Sequence, residues 1–275
     1  MIENEIGKKR ESILERLEIE APPDYVNVYH ETKVQFLDDI DQNGLLIGSD
    51  NKNIGKDEAM VRRNDFLDNI RPQFLKDKGI GRNNIFAYPY LQYGHGLFGA
   101  DRRFIKKDEN TLRNEYETVE QYSPGSMKKK GFESLADYTF KNTDPDSLKM
   151  QYPGEILEMK VDPKNCYVAD LEYITRIMDD IQRGWTESEA LSYQGEIYWK
   201  QIISLEDFLK WYKKPEWTQD GNNIKDSEKY ENGEPLDTFS FCLLKGAPEN
   251  LPKAILTPEI LIPQNIPQEY IKVVK

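Results

Sequence analysis

The chain has 275 residues, of which 38% are hydrophobic and 31% charged, with 37 basic against 49 acidic side chains. That length can bury a sizeable core as one large domain or two small ones, and no run nears the ~18 apolar residues of a membrane helix. The net charge of −12 repels bulk nucleic acid but leaves room for one local basic groove.

Residues 3–20 carry Ile6, Ile13, Leu14 and Leu17 at helical spacing, which predicts an amphipathic N-terminal helix. Ala21-Pro22-Pro23-Asp24 ends it, so residues 1–24 read as an appended extension. Val26 and Val28 then alternate with polar neighbours, the period of a short strand that runs through Tyr29 and His30. Thr32 reads as the N-cap of a helix carrying Phe36, Leu37 and Ile40, with Asn43-Gly44 as its left-handed stop. His30 is therefore expected at a strand end, where backbone N–H groups can grip a ligand. Residues 57–76 are weakly helical and broken at Arg71-Pro72. Within 84–91 a period of two puts Phe86, Tyr88 and Tyr90 on one face, either a core face or a stacking wall for a planar ligand. Pro89 confines that strand to an edge or an end.

The segment 99–150 reads as an excursion with short helices, for example 132–140, and His95 between two glycines as an exposed loop histidine. Residues 155–161 alternate as a strand, Asp162-Pro163-Lys164-Asn165 turns, and 166–171 is expected as the hairpin partner or continuation. A helix over 171–183 follows, with Ile174, Ile177, Met178 and Ile181 inward. Residues 217–235 are polar and read as a mobile surface loop, and 239–244 as another strand. The stretch 195–206 echoes 258–269, which sets Glu196 beside Glu259 as a candidate carboxylate. Cys166 and Cys242, in separate strand-like segments, suggest no disulfide framework, and two histidines make a zinc site of the usual ligands improbable. Met1-Ile2-Glu3-Asn4-Glu5 lacks a signal peptide's apolar core, so a cytoplasmic location is expected.

Three stretches carry chemistry in chain order. They are Tyr29-His30-Glu31-Thr32 with Gly44-Leu45 behind it, the aromatic run 86–90, and Glu259-Ile260-Leu261-Ile262-Pro263 followed by Ile266-Pro267-Gln268-Glu269-Tyr270-Ile271. Together they resemble the His–Tyr–Glu pattern of the ADP-ribosyltransferase fold. In flavour the chain is most similar to bacterial DNA-targeting ADP-ribosyltransferase toxins and to poly-ADP-ribose-polymerase-like enzymes. The resemblance covers roughly residues 25–275. It implies an α+β domain with a split two-sheet β core and flanking helices, insertions at 49–82, 95–150 and 215–236, and NAD as substrate. It also implies roles. Glu259, or Glu196 from the echo, is the catalytic carboxylate. His30 holds NAD, the Glu31 backbone pairs with the nicotinamide amide, and Thr32 supports the histidine. One of Phe86, Tyr88 and Tyr90, Tyr88 first, stacks on nicotinamide, and no metal is implied. Glu31 stands where this fold often has glycine, and 84–91 lacks the Gly-Ile-Tyr-Phe spelling, which leaves sub-family and acceptor open.

The chemistry explains the residue types. Breaking the nicotinamide–ribose bond develops oxocarbenium character on the ribose, as in glycoside cleavage, and a fixed carboxylate stabilises that charge. The expected activity is transfer of ADP-ribose to a macromolecular acceptor, protein or nucleic acid, by a toxin or phage-defence effector with an antitoxin or regulatory partner. The dense basic clusters are Arg62-Arg63, Arg102-Arg103 with Lys106-Lys107, and Lys128-Lys129-Lys130. They could guide a nucleic acid, while the whole-chain charge tips the balance toward a protein acceptor. Two other readings stand beside this one. An RNA 2′-phosphotransferase would use Arg62, Arg63, Arg71 and Arg82 on phosphate, and a non-catalytic module would bind NAD or ADP-ribose without turnover.

Overall fold

The structure, a computed structural model, describes residues 22, 24–47, 58–82, 84–90, 108–213, 216–217, 224–225 and 241–274. Strand β1 (Val26–Thr32) pairs antiparallel along its whole length with β3 (Glu155–Val161), His30 opposite Leu157. The other edge of β3 takes β12 (Ile271–Val273). A second antiparallel sheet runs in the order β2 (Ile85–Ala87), β11 (Pro258–Ile262), β4 (Tyr167–Asp170) and β5 (Ile203–Ser204). A third, smaller sheet joins β6 (Tyr212–Lys213), β9 (Phe241–Leu243) and β10 (Ala254–Ile255), and β7 (Glu216–Trp217) pairs with β8 (Ile224–Lys225). The protein is thus a mixed helix-and-sheet fold with several small antiparallel sheets.

The first two sheets meet edge to edge. The Tyr29 N–H donates to the Tyr88 carbonyl at 2.9 Å, and the Tyr88 N–H donates back to Tyr29 at 2.8 Å. These two bonds make a seam between β1 and the residue just past β2. Val28, Leu157 and Met159 of the first sheet and Ile85, Ala87, Ile260 and Ile262 of the second share one core with Phe241 and Leu243 of the third. The opposite face of the second sheet is covered by three helices, α2 (Glu58–Ile70), α8 (Glu172–Gln182) and α9 (Glu187–Lys200). Leu67, Ile177, Leu191, Tyr198 and Trp199 pack there against Leu261. All five residues of β11 are consequently buried, which explains an apolar run rather than an alternating one. Among the described residues no helix is long and apolar enough to cross a membrane.

Among the described residues the remaining helices are α1 (Leu37–Asn43), α3 (Gln73–Asp77), α4 (Glu109–Tyr122), α5 (Ser126–Lys129), α6 (Leu135–Thr143), α7 (Pro145–Gln151) and α10 (Leu205–Trp211). Arg71-Pro72 separates α2 from α3 because proline forbids a continuing ladder but suits a helix start. Ile85 and Ala87 are buried while Phe86 and Tyr88 are half-buried and Tyr90 is exposed, so the period of two holds, and β2 is an edge strand. Cys166 and Cys242 are both buried.

Four local expectations are corrected. Thr32 caps no helix; it is the last residue of β1, and α1 begins only after a 3₁₀ turn, Val34–Phe36, with no side-chain cap. Segment 166–171 is neither hairpin partner nor continuation of β3, because β4 joins the other sheet between β11 and β5. Met178 is 43% exposed, whereas Ile177 is buried and Ile174 and Ile181 pack on the core. The echo at 195–206 does not carry over into structure: residues 195–200 lie in α9, whose start carries a full Thr186–Glu189 capping box, and only Ile203–Ser204 of the stretch is strand. The helix over 3–20 and nearly all of the loop over 217–235 lie outside the described residues.

Asn43-Gly44 stops α1 as read. Gly44 has φ +73° and ψ −167°, a region open essentially only to glycine. A Cβ there would also collide with the Ile266 carbonyl, which accepts from Leu45 N–H at 2.9 Å. Gly44→Ala is expected to cost about 2–4 kcal/mol in urea unfolding, the sum of backbone strain and overlap. A loss below ~1 kcal/mol would contradict this account of the turn.

Candidate functional site

Glu259 enters as the second residue of β11, 4% exposed in an otherwise apolar strand. A buried carboxylate needs charge and hydrogen bonds around it. Arg82 supplies the charge, its guanidinium donating to Glu259 Oε2 at 2.7 Å, and the Tyr198 hydroxyl donates to the same oxygen at 3.1 Å. Arg82 also donates to the Tyr198 hydroxyl at 2.9 Å, closing a three-membered cluster. The guanidinium lies 4.3 Å from the centre of the Phe86 ring and 5.5 Å from that of Tyr198, so two aromatic faces border the ion pair. Burial opposes the Arg82 charge, but Glu259 and Tyr198 outweigh it and hold the guanidinium above its ordinary range. Burial pushes the Tyr198 phenol far up, so it stays a donor.

Arg82 and Glu259 are each held from behind. Asp68 of α2 accepts from the Arg82 backbone N–H at 2.9 Å, and Arg71 donates to the Ile80 carbonyl two residues earlier. Burial raises the Asp68 carboxyl pKa, against the pull of those donors. Asp170, 1% exposed at the end of β4, accepts from the N–H groups of Leu256 and Thr257, each at 2.9 Å, and of Glu172 at 3.1 Å. It thereby pins the chain just before Pro258-Glu259.

The sequence-predicted residues fall into groups. Extending the β2–β11 register one step beyond Ala87 opposite Ile260 sets Tyr88 opposite Glu259, on the face that also carries Phe86. Burial first, then the Glu259 and Glu31 carboxylates, push the Tyr88 phenol well above its ordinary value, with Arg82 opposing. Tyr29 and Glu31 share the other face of β1 from His30, and Tyr29 packs with Tyr88 on Ile156. Glu31 leans against Gly154, where any Cβ would strike its carboxylate. His30 points with Val28 to the face of Leu157, and its Nδ1 lies 2.7 Å from the Phe86 carbonyl. A carbonyl only accepts, so Nδ1 carries the proton and Nε2 is the acceptor. Burial lowers the His30 pKa, which keeps the ring neutral. Thr32 is buried opposite Glu155 on the His30 face. Tyr90 lies apart, stacked on Phe241 with ring centres 5.5 Å away. Glu196 is exposed on α9 and paired with Lys200 at 3.3 Å, distant in character from the buried carboxylate.

Arg82 was legible only as one of several scattered arginines, and nothing in its neighbours marks the pairing. Tyr198 had a signal. Ala190, Leu191, Gln194, Gly195 and Tyr198 form the buried stripe of α9, and a phenol there needs a partner. The other arginines do not gather. Arg63 pairs with Glu187 at 2.7 Å, Arg71 lies 3.9 Å from Asp68, and Arg62 is exposed. Lys128, Lys129 and Lys130 are exposed at the end of α5, and His95, Arg102, Arg103, Lys106 and Lys107 lie outside the described residues.

Fold and site together define a mixed helix-and-sheet protein with a buried Arg–Glu–Tyr cluster beside the seam of two sheets. No family model, curated protein or solved structure matches this chain.

Removing one partner of the buried pair strands the other. Arg82→Met is expected to cost about 3–5 kcal/mol of stability, and adding Glu259→Leu should restore most of it. Additive losses in that double-mutant cycle, read by urea unfolding, would mean the pair is not coupled. His30 gives a pH signature. Its folded pKa lies below the unfolded value of 6.5, so its contribution is whole above that pH and lost as pH falls toward the folded value. The stability difference between wild type and His30→Asn should therefore shrink from pH 7.5 to pH 5; a constant difference would overturn the burial argument.

Proposed function

We propose that this protein is an NAD-dependent ADP-ribosyltransferase whose substrate sits along the seam, against Tyr88 and Glu259. The observation that carries the reading is a convergence. Three stretches with the expected order of His, aromatic and Glu, scattered from residue 30 to 259, lie side by side where the edges of two sheets join, Tyr88 and Glu259 on one face and His30 on the other. The two sheets held together by Tyr29 and Tyr88 support the reading of a split two-sheet core.

In this reading Glu259 is the group that answers positive charge on the ribose as the nicotinamide bond breaks. Arg82 and Tyr198 hold its Oε2, so the carboxylate is oriented before the substrate arrives and need not reorganise. Tyr88, a protonated phenol with an aromatic face, walls the leaving ring. His30 fixes the backbone at Phe86 through Nδ1 and offers Nε2 to a hydroxyl of NAD, with Thr32 buried on the same face of β1. The Glu31 backbone pairs with the nicotinamide amide, and its carboxylate, lodged against Gly154, narrows that end. ADP-ribose then passes to a macromolecular acceptor, for which the net charge of −12 favours protein over nucleic acid.

A second reading has one observation in its favour. The carboxylate is already bonded by Arg82 and Tyr198, which suits a module that binds NAD or ADP-ribose without turning it over. The phosphotransferase reading is less well supported, since Arg63, Arg71 and Arg82 are each engaged with an acidic partner.

Purified protein is expected to release nicotinamide from NAD and to transfer label from NAD into lysate. Folded Glu259→Gln should lose about 10²–10³-fold in kcat with little change in NAD affinity. Tyr88→Ala should weaken NAD binding by about tenfold and Tyr88→Phe hardly at all. NAD binding without turnover in any form would favour the binding module, and absence of binding would end both readings. Label lost to nuclease but not protease would make the acceptor a nucleic acid.

A further inference from the structure

Away from the seam, the outer face of α8 and the mid-part of α9 enclose an open cavity of about 490 Å³. That is the size of a small-ligand site. Its floor is Gln194, 5% exposed, whose Nε2 donates to Asp180 at 2.5 Å and whose Oε1 has no hydrogen-bond partner among the described residues. A polar side chain in the buried stripe of α9 could have been apolar at no cost to the helix, so an unpaired acceptor there calls for an explanation. The wall is aromatic. Trp185 and Tyr193 line the cavity 42% and 55% exposed, with ring centres 5.6 Å apart.

The charges settle what would fit. Three carboxylates, Glu172, Asp179 and Asp180, line the cavity with two arginines. Arg176 is committed to Glu172 at 3.0 Å, and Arg183 reaches Asp180 at 3.7 Å. Asp179, exposed, has no ion pair among the described residues, so the balance of the site is acidic. An unpaired acceptor, an uncompensated carboxylate and exposed aromatic rings all ask for the same thing, a flat cation with several N–H donors.

We propose that this cavity takes the guanidinium of an arginine on a basic partner peptide. The donors reach Gln194 Oε1 and the Asp179 carboxylate, and the plane lies on the Trp185 or Tyr193 ring. A chain of net charge −12 attracts such a segment. The site does not depend on NAD chemistry, and its success or failure leaves that reading untouched.

Calorimetry on the full chain tests it with Nα-acetyl-arginine amide, the lysine and citrulline counterparts, an arginine-containing hexapeptide and a single-stranded oligonucleotide. The arginine amide and the hexapeptide should saturate, with citrulline at least about tenfold weaker because it lacks the charge. Trp185→Ala should weaken arginine binding about threefold and Asp179→Asn by a similar factor, both exposed positions that keep the fold. Gln194→Met should abolish the preference for arginine over lysine, checked against an unchanged circular dichroism spectrum. The hexapeptide binding while the arginine amide does not, equal binding of arginine and citrulline, unchanged affinity in both surface variants, or tighter binding of the oligonucleotide would each overturn the proposal.

Discussion

A guanidinium and a carboxylate 2.7 Å apart, both nearly withdrawn from water, set the terms for the centre of this protein. Two such charges cost several kcal/mol each to desolvate and repay it only with good geometry and further hydrogen bonds. The surroundings answer that demand. Tyr198 bonds both partners, Phe86 and Tyr198 cover the guanidinium, and Asp68 holds the backbone of Arg82. Apolar residues of similar volume often replace such a buried pair without loss of stability, so stability alone does not account for this pair. It fixes α9, the Arg82 loop and β11 relative to one another.

The second constraint is the seam. A strand edge normally exposes unpaired backbone groups, and here two edges satisfy each other through Tyr29 and Tyr88. His30 adds a side-chain bond across the same line, to the Phe86 carbonyl. The seam thus holds the aromatic run at a defined distance from Glu259 while leaving the faces of Phe86 and Tyr88 half open. The pleat divides the site. Tyr88, Glu31 and Glu259 gather on one side, and His30 and Thr32 look to the inter-sheet core. A shared pocket for all of them must therefore lie across the strand edge rather than on one sheet face.

Much of this was legible in the chain. Alternation in 26–32 and 155–161 and the apolar run of 258–262 named the strands that matter, because period two and burial on both faces leave direct marks on composition. Long-range pairing left none. Nothing near Cys166 says that β4 abandons β3 for β11, since a tight turn at 162–165 serves a crossover as well as a hairpin. The echo at 195–206 misled because Ile, Tyr and Trp suit a strand locally, while Thr186 and Glu189, nine and six residues before its start, cap a helix that runs into it. Glu259 stood out as a carboxylate opening an apolar strand; its partner Arg82 lies 177 residues away and could not be paired by inspection.

The central claim is that NAD occupies the seam beside Tyr88 and Glu259. Amide hydrogen exchange with and without saturating NAD tests it most directly, because it reports where the ligand sits whether or not it is turned over. The account predicts slower exchange confined to the peptides spanning 26–32 and 84–90, the two edges that form the seam. Protection absent, or confined to α8 and α9, would contradict it.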